Sequence, residues 1–132
     1  MDKQQLIEII PWRVYEHPLP PGFRVLAERL WPRGVRKEDL PLDAWPKMLT
    51  PSTELRQWFH HDVTLWDEFR QRYLQELAQQ SIEAEHLLDL AEGKPLILLY
   101  AAQDKLHNGA LVLKAFLETQ QKNRNAWPDD TP

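Results

Sequence analysis

In the stretch FRVLAERLWPRGV, Phe23 to Val35, one carboxylate, two guanidiniums and an indole fall within six residues at the end of a run rich in β-branched and aromatic side chains. Arg29 and Arg33 offer planar forks of donors that match carboxylate or phosphate bidentately. Between them, Trp31 offers a flat apolar wall on which a base or a second guanidinium can stack. Anions are the natural ligands of such a group, and Glu28 beside it is a candidate proton carrier. The residues leave a second reading open, in which Arg29 and Arg33 pair with Glu28, Asp43 or Glu54 and Trp31 simply packs under Pro32.

Two further groups have chemistry to offer. In TPSTELR, Thr50 to Arg56, hydroxyls stand at a helix start with an arginine one turn along, and free backbone N–H groups there already attract anions. Ser52 and Arg56 are the candidate ligand contacts, although Thr and Ser at a helix start are usually caps. In AAQDKLHN, Ala101 to Asn108, polar residues follow a strand and precede a helix, where open α/β sheets place their ligands. Asp104 and His107 are candidate catalytic proton carriers there. Asn108 is a candidate ligand contact that reads equally well as the helix cap. Asp43 and Lys47 could form a base and its partner, but each reads more simply as a solvated charge.

What is missing narrows the chemistry. The chain has no cysteine, so neither thiolate catalysis nor a zinc-thiolate site has residues to build on. His60, His61 and Asp62 are expected to splay around a helix end rather than converge, and no metal or cofactor is expected. A Walker glycine loop, a dinucleotide-binding glycine fingerprint and a nucleophile elbow are all absent from the sequence.

The elements that must position these residues follow from pattern. At 132 residues the chain suffices for one domain with a core of its own. Leu6 to Tyr15 is expected as an edge strand interrupted by Pro11, and Phe23 to Leu30 as a second strand. If these two were neighbours, the seven-residue turn Glu16 to Gly22 would make them antiparallel. The Pro-punctuated connection Arg36 to Leu49 is too long to be mere linkage. Three helices are expected next: one capped by Thr50-Pro51 and ending near His60 or His61, one from Thr64 to about Gln79, and one from Ser81 to the stop at Gly93-Pro95. Leu96 to Ala102, apolar throughout, is expected as the central strand, with a last helix capped by Asp104 or Asn108. The fold class is α/β: a small mixed sheet with helices on both faces, a single domain over residues 1–120 and a polar tail over 121–132.

Sixteen basic against 20 acidic residues give a formal charge of −4, which argues against broad, charge-driven binding to nucleic acid or anionic membrane. No stretch approaches the ~20 apolar residues that a bilayer requires, and the opening MDKQQLIEIIPWR is too short in apolar residues for a signal peptide. The absence of cysteine fits a reducing compartment, so a cytoplasmic location is expected.

Arg13-Val14-Tyr15, FRVLAERLWPRG at 23–34, LPLDAWPKMLTPSTELRQWF at 40–59, FRQRYLQEL at 69–77 and LILLYAAQDKLHNGALVL at 96–113 together resemble the YeaO-like proteins, small bacterial proteins grouped as domain of unknown function 488. The resemblance covers nearly the whole chain and brings no activity with it. The chain departs from the family pattern at Glu28, where Asp is usual, and at Gly109, which loosens the start of the last helix.

The reading these observations favour is an anionic small molecule, phosphorylated or carboxylated, held in a pocket by Arg29, Arg33 and Arg56 with Ser52 and Trp31 beside it. Whether a chemical step follows is left open. One alternative is a single-stranded nucleic-acid module that stacks a base on Trp31 and neutralises phosphates with Arg29, Arg33, Arg36 and Lys37. Another is an interaction domain whose arginines are structural and whose apolar patch near Trp12 or Trp127 takes a partner chain.

Overall fold

The run LILLY, Leu96–Tyr100, is apolar at every position, and it takes the one place in a small sheet where both faces and both edges are covered. In the computed structural model, which describes residues 6–126, this strand (β3) lies between β1 (Ile9–Arg13) and β2 (Phe23–Leu26). Both neighbours run parallel to it, Ile9 opposite Leu96 on one side and Phe23 opposite Leu96 on the other. The sheet is therefore parallel in every described pairing rather than mixed. β1 and β2 are not neighbours, so the condition for an antiparallel pair is not met. Residues 14–22 lead from β1 to the start of β2 through turns and bends and lay Leu19 on one face of the sheet.

Four α-helices follow from the apolar spacing: α1 (Thr53–Phe59), α2 (Trp66–Ala78), α3 (Ser81–Leu90) and α4 (Gly109–Ala126). They share one side of the sheet, where Phe69, Tyr73 and Leu77 of α2, Leu87 and Leu88 of α3 and Leu113 and Leu117 of α4 meet Leu96, Leu98 and Tyr100 of β3. The opposite face carries Ile97 and Leu99 of β3 and is closed by Val14, Leu26, Trp31, Leu40 and Trp45. The helical layer expected on that second face is a single 3-10 turn, Lys37–Asp39, within the long connection. The connection is indeed more than linkage. Asp43 and Ala44 donate backbone N–H groups to the Arg24 carbonyl, and Leu26 donates back to Ala44, which covers the outer edge of β2.

Helix starts differ in detail from the expected ones. Ser52, not Thr50, caps α1, accepting the Leu55 N–H at 3.1 Å; Thr50 turns its hydroxyl back to the Lys47 carbonyl at 2.6 Å. Asp62, not Thr64, caps the 3-10 turn that leads into α2. Asn108 does cap α4. α4 runs on past Gln120 to Ala126, into the stretch expected as tail, and Gln121 exchanges hydrogen bonds with the Ile7 backbone. Trp127, and the ends of the chain at 1–5 and 127–132, lie outside the described residues. Among the described residues no helix is long and apolar enough to cross a membrane.

Candidate functional site

β2 ends at Leu26 and β3 at Tyr100, and because the two are parallel their carboxyl ends stand side by side. A cleft of about 320 Å³ opens there, lined by Glu28 and Arg29 beyond β2, Arg56, Phe59, His60 and His61 from α1 and its end, and Ala102, His107 and Asn108 beyond β3. That is the position at which parallel α/β sheets hold ligands. The floor is apolar, with Phe59 and Phe69 stacked at 4.2 Å between ring centroids.

Glu28 is anchored through both its side chain and its backbone. Its Oε2 accepts the Ala101 N–H at 3.0 Å, and its carbonyl accepts the indole N–H of Trp45 at 2.6 Å. Trp45 thus reaches through from the second core to fix the backbone of a cleft residue. Burial pushes the Glu28 carboxyl above its ordinary value, against the Ala101 N–H and the charges of Arg56 and His61, which pull it down. A carboxyl with a higher pKa in the folded than in the unfolded chain holds its proton more tightly when folded. Its contribution to stability is therefore complete below the unfolded value and is lost as pH rises through the folded one. Glu28→Gln keeps an acceptor for Ala101 without the charge. It is expected to melt above the wild type at about pH 8, with the difference closing by about pH 4. Thermal unfolding at both pH values checks this, and a difference independent of pH would contradict it.

The two cleft arginines are differently occupied. Arg29 donates Nε to the Pro51 carbonyl at 3.1 Å and Nη2 to the Thr50 carbonyl at 3.4 Å, and so ties the β2 end to the chain entering α1. Among the described residues Arg56 has only the Thr53 hydroxyl, at 3.3 Å from Nη2, and its buried Nε has no hydrogen-bond partner. Among the described residues neither guanidinium has a carboxylate within ion-pair distance. The internal pairing of arginines with Glu28, Asp43 or Glu54 is not formed; Asp43 instead accepts the Arg24 N–H at 2.8 Å. Lys47 does not pair with Asp43 and lies over the Trp45 ring at 4.2 Å.

His107 and Asp104 are coupled. Asp104 accepts the Leu106 and His107 N–H groups and contacts the His107 ring Nδ1 at 2.9 Å, and these bonds, the Leu106 one foremost, hold its carboxyl below the usual range. His107 also meets Trp66 edge-on at 5.3 Å. Asp104 is thus placed to orient His107 and does not itself line the cleft.

Three further sequence candidates stand outside the cleft, as Asp104 does. Trp31 belongs to the second core, its indole N–H bonded to the Val35 carbonyl at 2.6 Å and its ring edge-on to Trp45, and it does not line the cleft. Arg33 is exposed, and its carbonyl accepts the Tyr15 hydroxyl. The Ser52 hydroxyl donates to Glu76 Oε2 at 2.6 Å and lies outside the cleft. The expected clamp of three arginines is thus two in the cleft. Conversely, His60 and His61 both reach it. They sit in consecutive left-handed conformations, φ 46° and 58°, as the backbone turns sharply after α1. Such a pair is rare outside glycine, and no local pattern announces it. A usable signal was their place four and five residues after Arg56, just past the end of the same short helix. Among the described residues no three His, Asp or Glu side chains are grouped to hold a metal ion.

A family model described as "Inactive DUF488-N3 subclade" matches residues 8–132. The uncharacterized protein YeaO of Escherichia coli (strain K12) is 51% identical over 98 residues, 74% of this chain and 85% of YeaO. Uncharacterized proteins of Mycobacterium bovis and of Mycobacterium tuberculosis strain H37Rv are each 47% identical over 74 residues, 55% of this chain and 63% of the relative. No solved structure matches the chain.

Proposed function

Since the chain belongs to the YeaO-like DUF488 family, in the subclade described as inactive, we propose that its cleft binds a small anion, phosphorylated or carboxylated, without turning it over. The observation that carries this reading is the state of Arg56: a guanidinium on the wall of the cleft with one long hydrogen bond, an unpartnered buried Nε and no carboxylate partner among the described residues. Leaving such a charge unmatched is costly, and an anion in the cleft removes the cost. Arg29 lines the same space and favours the same sign of charge, and the imidazoles of His60, His61 and His107 bring ring nitrogens to it. Two guanidiniums face one carboxylate whose burial already disfavours its ionised form.

Calorimetric titration with inorganic phosphate, sulfate and succinate is the test. Arg56→Ala is expected to weaken binding roughly 10- to 100-fold, the loss of one charge-assisted contact of about 1.5–3 kcal/mol. Arg33→Ala, outside the cleft, is expected to leave affinity within about twofold. Equal losses from both variants, or no binding of any of the three anions to the wild type, would refute the reading.

A further inference from the structure

Glu28 and Arg56 line one cleft with opposite charges and do not meet: no ion pair joins them within 4 Å. Each is held back by its own backbone. Glu28 is pinned by Ala101 and Trp45 beyond the strand ends, and Arg56 is carried by α1. The accounting of polar atoms is incomplete on both sides. Glu28 uses Oε2 for the Ala101 N–H, while Oε1 has no hydrogen bond among the described residues and is not sealed in the interior, on a residue that lines the cleft. Arg56 has one hydrogen bond for its five N–H donors.

A simple anion satisfies only half of this arrangement. It answers Arg56 but leaves a carboxylate oxygen without a donor and sets two negative charges in one partly buried space. A simple cation has the converse fault. A molecule with both an anionic group and a donor-rich cationic group pairs with each in turn and enters without changing the net charge of the cleft. Resting on the anion-binding reading above, we propose that the ligand is a small zwitterion, an amino acid or close analogue, with its acid group on Arg56 and its protonated amine on Glu28. The stacked Phe59 and Phe69 with Ala27 and Pro51 supply an apolar surface for a short side chain, and about 320 Å³ suits a molecule of that size better than a peptide or an oligonucleotide.

The test compares the twenty standard amino acids with their deamino analogues, in which hydrogen replaces the amine, by calorimetric titration of the wild type and of Glu28→Gln. For at least one amino acid, the wild type is expected to prefer it over its deamino analogue by at least about tenfold. Glu28→Gln is expected to erase that preference by weakening the amino acid alone, with the deamino acid bound as well or better. The carboxylate of both members meets the same groups, so the ratio within a pair reads the amine, and the change of that ratio on Glu28→Gln isolates the part of it due to Glu28. Equal affinity within every pair, a Glu28→Gln loss common to both members, or no binding of any amino acid would overturn the inference. Phosphate and succinate on the same samples separate the two levels. If they bind through Arg56 while amino acids show no preference, the zwitterion falls and the anion site stands; if they too fail to bind, both fall.

Discussion

Gly22→Ala is expected to remove about 4 kcal/mol of folding stability, the sum of a strained backbone and an over-filled contact. Gly22 immediately precedes β2 at φ +146°, a region side-chain-bearing residues rarely enter. A Cβ built there would stand 2.5 Å from the Pro95 carbonyl oxygen and 3.1 Å from Ile97 Cγ1. Neither neighbour is free to give way. The Pro95 carbonyl accepts the Phe23 N–H at 2.8 Å, the bond that starts the β2–β3 ladder, and Ile97 is fully buried in β3. Relief would pull β2 off its register and carry Glu28 and Arg29 with it. Gly34→Ala is the control: φ is +77° but nothing lies within 4 Å of the added carbon, so only about 1 kcal/mol of backbone strain is expected. Urea unfolding of both variants measures the difference, and equal losses would show that the contact with Pro95 does not matter.

Glu76→Ala is expected to cost about 2–3 kcal/mol and, unlike most stability variants, to lower anion affinity as well. The Glu76 carboxylate on α2 accepts the Ser52 N–H at 2.8 Å and the Ser52 hydroxyl at 2.6 Å, and Ser52 in turn caps α1. Removing it frees the start of a seven-residue helix too short to hold itself. Arg56 stands on that helix, and its position over the cleft depends on the anchorage. Glu76→Gln retains one acceptor and is expected to lose about 1 kcal/mol, with affinity nearly intact. Chemical denaturation paired with phosphate titration checks both readouts, and a Glu76→Ala protein of full affinity would show that Arg56 is placed by other contacts.

Much of the fold could be read directly from the residues. LILLY is apolar on both faces and so becomes the central strand. The stripe Phe69, Tyr73, Leu77 turns α2 inward, and Gly93 at φ +82° ends the turn after α3 as its position before Pro95 implies. These features depend on neighbours within one or two turns of chain, which is why pattern suffices for them. The strand order does not. A return of residues 14–22 permits either an adjacent antiparallel hairpin or a crossing, and β3, more than seventy residues later, decides the matter by taking the centre.

The cleft divides in the same way. Sequence alone put Glu28 and Arg29 in the last residues of a strand drawn to Leu30, Arg56 within the first turns of a helix, and His107 and Asn108 ahead of another, because strand ends and caps are local properties. The structure stops β2 at Leu26 and so leaves Glu28 and Arg29 beyond it. Sequence could not determine what each side chain spends its hydrogen bonds on. Ser52 is claimed by Glu76 from 24 positions away, and Glu28 by Ala101 from 73. Trp31 and Arg33, only a few residues beyond Glu28, leave the strand's alternation once β2 stops at Leu26, and the second core draws the indole to the opposite face. His60 and His61 reach the cleft only because the backbone adopts two left-handed conformations that their residue types do not request. Which polar atoms of the two opposite charges remain without a hydrogen bond among the described residues, the Arg56 Nε and one oxygen of Glu28, is a property of the whole packed chain, since it depends on partners distant in sequence.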